Sequence, residues 1–113
     1  MKRARSIRVE WAEAAVGDLE ESALFVAADN PAAAVTLGDR IIARVATLAE
    51  QPLQGRMVPE LLRLGIRRYR ELIVAPYRIV YRAEAKRVLV LVVVHGARDI
   101  EPLLHRRLVR TGA

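Results

Sequence analysis

Residues 69–95 read Tyr69-Arg70-Glu71-Leu72-Ile73-Val74, Ala75-Pro76, Tyr77-Arg78-Ile79-Val80-Tyr81-Arg82, Ala83-Glu84-Ala85-Lys86 and Arg87-Val88-Leu89-Val90-Leu91-Val92-Val93-Val94-His95. These are three strand-like runs separated by short turn-like breaks, the pattern of antiparallel neighbours joined by tight connections. The middle run alternates strictly. Tyr77, Ile79 and Tyr81 face one side, and Arg78, Val80 and Arg82 the other, because successive strand side chains point in opposite directions. Val88 to Val94 holds five valines and two leucines with no polar break, which predicts a central strand buried on both faces.

Upstream, Ser6 to Trp11 reads as a first strand with Ile7 and Val9 on one face and Arg8 and Glu10 on the other. From Ala12 the period changes: Ala15, Val16, Leu19, Ala23, Val26 and Ala27 recur at three- and four-residue steps, which predicts an amphipathic helix. Its other face carries Glu13, Asp18, Glu20 and Glu21. Asp29-Asn30-Pro31 ends that helix and starts another, with Asn30 as cap and Pro31 in the first position, where no backbone donor is needed. The second helix runs to about Glu50 and stops at Gln51-Pro52. So short a turn predicts an antiparallel hairpin. Residues 53–66, with Gly55, Pro59 and Gly65, read as a loop, and Ile100 to Val109 as a short helix with Pro102 in its first turn. The expected fold class is α+β: an N-terminal strand and a two-helix hairpin packed on one face of a small, mainly antiparallel four-stranded sheet (β-α-α-β-β-β). A short C-terminal helix follows, and the other sheet face is partly open. At 113 residues, with no linker or repeat, residues 1–113 form a single domain.

Composition narrows the function. Hydrophobic residues make up 53% of the chain, enough for a core. There is no cysteine, which removes disulfides, thiolate chemistry and cysteine-bound zinc and fits a reducing cytoplasm. Met1-Lys2-Arg3-Ala4-Arg5 is basic, but no apolar signal segment follows it. The longest apolar run is far shorter than the roughly 20 residues of a membrane-spanning helix. Charge is uneven: residues 1–50 carry six Lys/Arg against eight Asp/Glu, and residues 51–113 carry thirteen against five. An acidic half followed by a basic half predicts one cationic face for an acidic protein segment, nucleic acid or a nucleic-acid machine.

Metal and phosphate-loop sites find no support. His95 and His105 are ten residues apart with no carboxylate cluster at ligand spacing, and Gly55, Gly65 and Gly96 are isolated. No cofactor is implied, and Ser6 and Ser22 lack a nucleophile elbow. The arginines remain: Arg56, Arg67, Arg68, Arg70, Arg78, Arg82, Arg87 and Arg98, whose guanidinium forks suit carboxylates and phosphates. Against that stands internal pairing of Arg70 or Arg78 with Glu71, Glu84 or Asp99. His95, Trp11, Tyr77 and Tyr81 read as packing residues, the two tyrosines with exposed hydroxyls.

Val9-Glu10-Trp11, Asp29-Asn30-Pro31, Gly55-Arg56, Pro76-Tyr77-Arg78-Ile79-Val80-Tyr81 and Val94-His95-Gly96-Ala97-Arg98-Asp99, in this order and spacing, resemble the RelE/ParE toxins of bacterial type II toxin–antitoxin systems from about residue 7 to 104. The helix hairpin and the His95 to Asp99 ending are most similar to the ParE branch. That resemblance implies a cytoplasmic, non-enzymatic toxin that poisons DNA gyrase. It would form a hetero-oligomer with a ParD-like, ribbon-helix-helix antitoxin encoded beside it. Arg56, Arg70, Arg78, Arg82 and Arg98 are the expected partner contacts. The RelE branch implies instead a metal-independent, ribosome-dependent messenger-RNA endoribonuclease, for which Arg78 and Arg98 would hold the phosphate and His105 carry the proton. A third possibility is a member of the fold that binds its partner without toxicity.

Overall fold

The hairpin forms where the Asn-Pro pair directs it. Asn30 has extended backbone geometry, its Oδ1 accepts from the Ala33 N–H at 3.0 Å, and Pro31 occupies the first helical turn. A computed structural model describes residues 6–110, so the basic Met1 to Arg5 stretch lies outside the described residues. The elements are β1 (Arg8–Trp11), α1 (Glu13–Ala27), α2 (Pro31–Ala46) with a 3-10 turn at Thr47–Ala49, β2 (Arg56–Met57), α3 (Pro59–Leu62), β3 (Tyr69–Val74), β4 (Tyr77–Ala83), β5 (Arg87–His95) and α4 (Ile100–Arg110). Among the described residues no helix is long and apolar enough to cross a membrane.

The sheet has five strands in the order β1-β5-β4-β3-β2, not four. The addition is β2, inside the segment read as a loop. Its Arg56 and Met57 pair antiparallel with Glu71 and Arg70, and two residues are too few to show a period. β1 runs parallel to β5, while the β3–β4 and β4–β5 pairs are antiparallel. β5 is internal, as its unbroken apolar run requires.

Helices pack on both faces of the sheet, where the sequence reading left the second face partly open. On one face Ala15, Leu37, Ile41, Val45 and Leu48 of the helical layer pack on Leu72, Val74, Tyr77, Ile79, Tyr81, Val88, Val90 and Val93. On the other, Ile100, Leu103, Leu104 and Leu108 of α4, with Val58 and Leu61, pack on Tyr69, Val80, Leu91, Val92 and Val94. The α4 residues fall at helical spacing and make one apolar stripe.

A bulge lets β5 serve both cores. Val80 stands opposite Val92 but Tyr81 opposite Val90, so Leu91 is an extra residue. Alternation therefore slips: Val88, Val90 and Val93 join the helix-hairpin core, and Leu91, Val92 and Val94 the α4 core. The Tyr81 hydroxyl is not exposed as the sequence suggested. It accepts the Gly55 N–H at 2.9 Å, in a residue with no exposed area, and burial pushes its pKa upward. Gly55 is obligatory there: a Cβ would come within 2.6 Å of the Glu71 carbonyl oxygen and 2.8 Å of the Tyr81 hydroxyl.

Candidate partner-binding surfaces

The alternating arginines of β4 lie on the α4 side of the sheet, where carboxylates meet them. Glu71 sits opposite Arg56 on β2 and diagonally from Arg78 on β4, the reach at which cross-strand charges pair. Its Oε2 accepts from Arg56 Nε at 2.7 Å and its Oε1 from Arg78 Nε at 2.7 Å. Arg78 then forks onto Glu60 of α3, with Nη1 to Oε2 at 2.9 Å and Nη2 to Oε1 at 2.7 Å. The Glu71 side chain has no exposed area and that of Arg78 only 11%, so the charges are removed from water together. The Arg78 fork holds the Glu60 carboxyl down to about 2, and the bonds to Glu60 and Glu71 push the Arg78 pKa upward, keeping it charged.

A second chain of charges runs along the β1–β5–β4 end. Arg82 and Arg87 both donate to Glu84, at 2.8 and 2.7 Å, and Arg87 also reaches Glu10, which pairs with Arg8. The arginines around Glu84 and Glu10 hold both carboxyls below their ordinary range. The sheet arginines are thus laced to acids rather than spread as an open cationic face, and the internal-pairing alternative is realised for Arg78 with Glu71. Arg70 donates to the Gly55 carbonyl at 2.8 Å and the Leu53 carbonyl at 3.3 Å, closing the turn before β2. Arg56 keeps 60% of its side chain exposed. Arg98 is exposed in the turn after β5.

His95 is exposed at the end of β5. Its Nδ1 accepts the Ala97 N–H at 3.1 Å, and its ring meets Tyr77 edge to face at 5.4 Å, a turn-shaping arrangement. Arg98 lines a hollow of about 390 Å³ with Asp18, Phe25, Tyr77 and His95. His105 lines a different groove of about 620 Å³ between α3 and α4. The three residues that a ribonuclease would need are therefore distributed: Arg78 inside the carboxylate network, Arg98 in one hollow and His105 in another. No group of three or more His, Cys, Asp or Glu able to hold a metal is gathered among the described residues.

One constellation escaped the sequence. Past Trp11, β1 no longer covers β5, and the backbone around the bulge needs other partners. Asp18 of α1 accepts the Val93 N–H at 3.0 Å, and Arg107 of α4 donates to the Leu91 carbonyl at 2.7 Å. These two side chains also pair with each other through two bonds, at 2.9 and 3.0 Å. In the sequence Asp18 is one of four acids on the outer face of the first helix, and Arg107 stands among Arg106 and Arg110 with nothing to set it apart. Only the bulge, invisible in an all-apolar run, gives them a task.

Among the described residues, the most exposed large apolar side chains include two groups. Leu24, Phe25 and Val35 stand 73, 79 and 66% exposed near the tip of the helix hairpin. Leu64 and Val109 stand 71 and 68% exposed beside the α3–α4 groove.

The family model described as ParE toxin of type II toxin-antitoxin system, parDE, matches the chain over residues 9–100. None of the curated proteins matches it. Among solved structures, a chain of the chromosomal ParDE TA system from P. aeruginosa superposes with a TM-score of 0.67 at 19% identity, over 80% of this chain and 97% of that one. A chain of the toxin–antitoxin complex RelBE2 from Mycobacterium tuberculosis superposes with a TM-score of 0.50 at 22% identity, over 87% of this chain and 100% of that one. At such identities the structural likeness speaks for the fold, and the sequence match, which spans the helix hairpin and the strands that follow it, for the family. This chain belongs to the ParE toxin family of type II toxin–antitoxin systems.

Proposed function

We propose that this protein is a cytoplasmic toxin that inhibits DNA gyrase by binding it, and that a cognate ParD-like antitoxin neutralises it. The observation that carries this reading over a ribonuclease is the state of Arg78. A phosphate-binding arginine must turn its fork to the substrate, whereas this one spends its Nε and both Nη nitrogens on Glu60 and Glu71. Phosphoester cleavage also needs a base and an acid about one reacting group apart, and His105 lines a groove that does not include Arg98. Inhibition by binding needs no such convergence.

Of the five arginines expected to meet partners, Arg56 and Arg98 offer exposed guanidinium groups, and Arg70 is half-buried. Arg78 and Arg82 serve by holding the sheet in shape. The antitoxin covers the exposed apolar surfaces and sets acidic side chains against the exposed arginines, by folding as it binds.

A supercoiling assay tests the reading directly. Purified protein is expected to block gyrase supercoiling and accumulate cleaved DNA, and the antitoxin to reverse both effects. Cleaved message in a ribosome-containing translation extract, with gyrase untouched, would replace this reading with the ribonuclease. Inertness in both assays would leave a partner-binding member of the fold.

A further inference from the structure

A third hollow, of about 410 Å³, lies between α2 and the end of β3, lined by Arg40, Ala43, Arg44, Thr47, Ile73 and Val74. No carboxylate is among them, whereas the two hollows described above carry Glu60 and Glu101 in one and Asp18 and Glu21 in the other. Arg40 and Arg44 are both exposed and four residues apart on α2, so they share one stripe of that helix. No position three or four residues from either holds an acid, and Asp39, adjacent to Arg40 in sequence, does not face it on a helix. Like charges at this spacing are unfavourable in the free helix, and an anion between them relieves that. β2 pairs only with Arg70 and Glu71, so beyond them the outer edge of β3 has no strand beside it. There Arg44 Nη1 donates to the Ile73 carbonyl at 3.4 Å, which holds the side chain at the rim of the hollow. Arg70 adds a further positive charge, since its bonds go to the Leu53 and Gly55 carbonyls. No ion pair reaches Arg40, Arg44 or Arg70 among the described residues. Arg44 and Arg70 both counter the rise that burial gives the Tyr81 pKa, so their charges lie towards the same hydroxyl.

We infer that this surface binds the phosphate backbone of duplex DNA, with Arg40 and Arg44 each taking a phosphate. The inference rests on the gyrase reading above and adds to it a direct contact between the toxin and the DNA that gyrase holds. Phosphates need guanidinium forks that no acid occupies, which Arg78, Arg82 and Arg87 do not offer. The lining also selects the kind of polyanion. It contains no aromatic side chain on which unpaired bases could stack, as single strands require. A duplex keeps its bases stacked inside and presents its phosphates. An acidic protein segment that folds as it binds must bury apolar surface, and Ile73 is the one large exposed apolar side chain in the lining.

The test titrates the full-length protein against a short fluorescein-labelled duplex, read by anisotropy over a range of salt concentrations. Wild type is expected to bind duplexes of unrelated sequence alike, with the logarithm of affinity falling linearly as the logarithm of salt rises. Arg40→Gln with Arg44→Gln keeps unbranched polar stems on an exposed helix face, so the circular dichroism spectrum and melting curve stay those of wild type. Its affinity is expected to fall on the order of tenfold and its salt slope to shrink by about 2, one unit per lost phosphate contact. Lys86→Gln with Arg106→Gln, both exposed and outside the hollow, removes the same charge and is expected to keep the wild-type slope. An unchanged slope in the Arg40/Arg44 variant, or an equal loss in the Lys86/Arg106 variant, overturns the inference. Tighter binding of single-stranded RNA or of polyglutamate than of the duplex overturns it as well. In the supercoiling assay the Arg40/Arg44 variant is expected to need on the order of tenfold more protein for the same block. Equal inhibition by variant and wild type refutes the DNA contact alone. Duplex binding through Arg40 and Arg44 with gyrase untouched refutes the gyrase reading alone.

Discussion

Replacing Arg78 with methionine keeps an unbranched apolar stem in the sheet and deletes the guanidinium alone. Three hydrogen bonds disappear, one to Glu71 and two to Glu60. Glu60 is 20% exposed at its side chain and can turn to water, but Glu71 has no exposed area and keeps only Arg56. Removing one partner of a buried ion pair costs about 3–5 kcal/mol, chiefly because the other charge is stranded. The relief available to Glu60 and the surviving Arg56 bond place this case at the lower end, about 3 kcal/mol. That is a large fraction of the roughly 5–15 kcal/mol that holds a domain together. Urea unfolding followed by far-ultraviolet circular dichroism measures it, with Arg78→Met, Glu71→Gln and the double variant compared in a cycle. Glu71→Gln relieves the stranded charge, so the double variant is expected to lose at least about 1 kcal/mol less than the sum of the singles. A loss below about 0.5 kcal/mol for Arg78→Met, or strict additivity, would refute the claim that Arg78 is a structural counter-ion.

Asp18→Ala removes the acceptor of the Val93 N–H and both of the bonds between Asp18 and Arg107, so about 2–3 kcal/mol is expected to go; trypsin should then cut within α4 sooner than in wild type, as timed digestion will show. Gly55→Ala drives a Cβ to within 2.6 Å of the Glu71 carbonyl, and the forced shift is expected to cost about 2–3 kcal/mol, read from the urea midpoint. Glu60 gives a pH signature: with its carboxyl held at about 2 against an ordinary 4.5, its contribution is present above pH 4.5 and fades as pH falls towards 2. The full shift would correspond to about 3 kcal/mol, which screening at its solvent-facing edge reduces to about 1–2 kcal/mol. Glu60→Gln should accordingly flatten the acid limb of the stability curve.

The hairpin, the three long strands and α4 were legible because each carries a period or a stop signal: Asn30-Pro31, the alternation from Tyr77 to Arg82, and the stripe from Ile100 to Leu108. β2 was not, since Arg56 and Met57 form a strand only because Glu71 and Arg70 are already in place beside them. The covered second face was missed because the apolar stripe of α4 does not say against which surface it packs. The candidate site was legible in its residue types and not in its pairings. A run of arginines looks the same in sequence whether it faces solvent or meets Glu60, Glu71 and Glu84, acids that lie up to 18 positions away from their partners. Asp18 and Arg107 stand 89 positions apart, beyond the reach of any local pattern.

The slip at Leu91 divides one strand into two halves with opposite phase. A chain shortened by that residue alone would restore regular pleating to β5 and leave Val92, Val93 and Val94 on the faces they now occupy. It would lose the Leu91 side chain from the α4 core and the carbonyl that Arg107 holds. A deletion between Leu91 and His95 has no such compensation, since it exchanges the faces of the residues beyond it. In this strand, swapping one aliphatic residue for another should be forgiven far more readily than changing the number of residues.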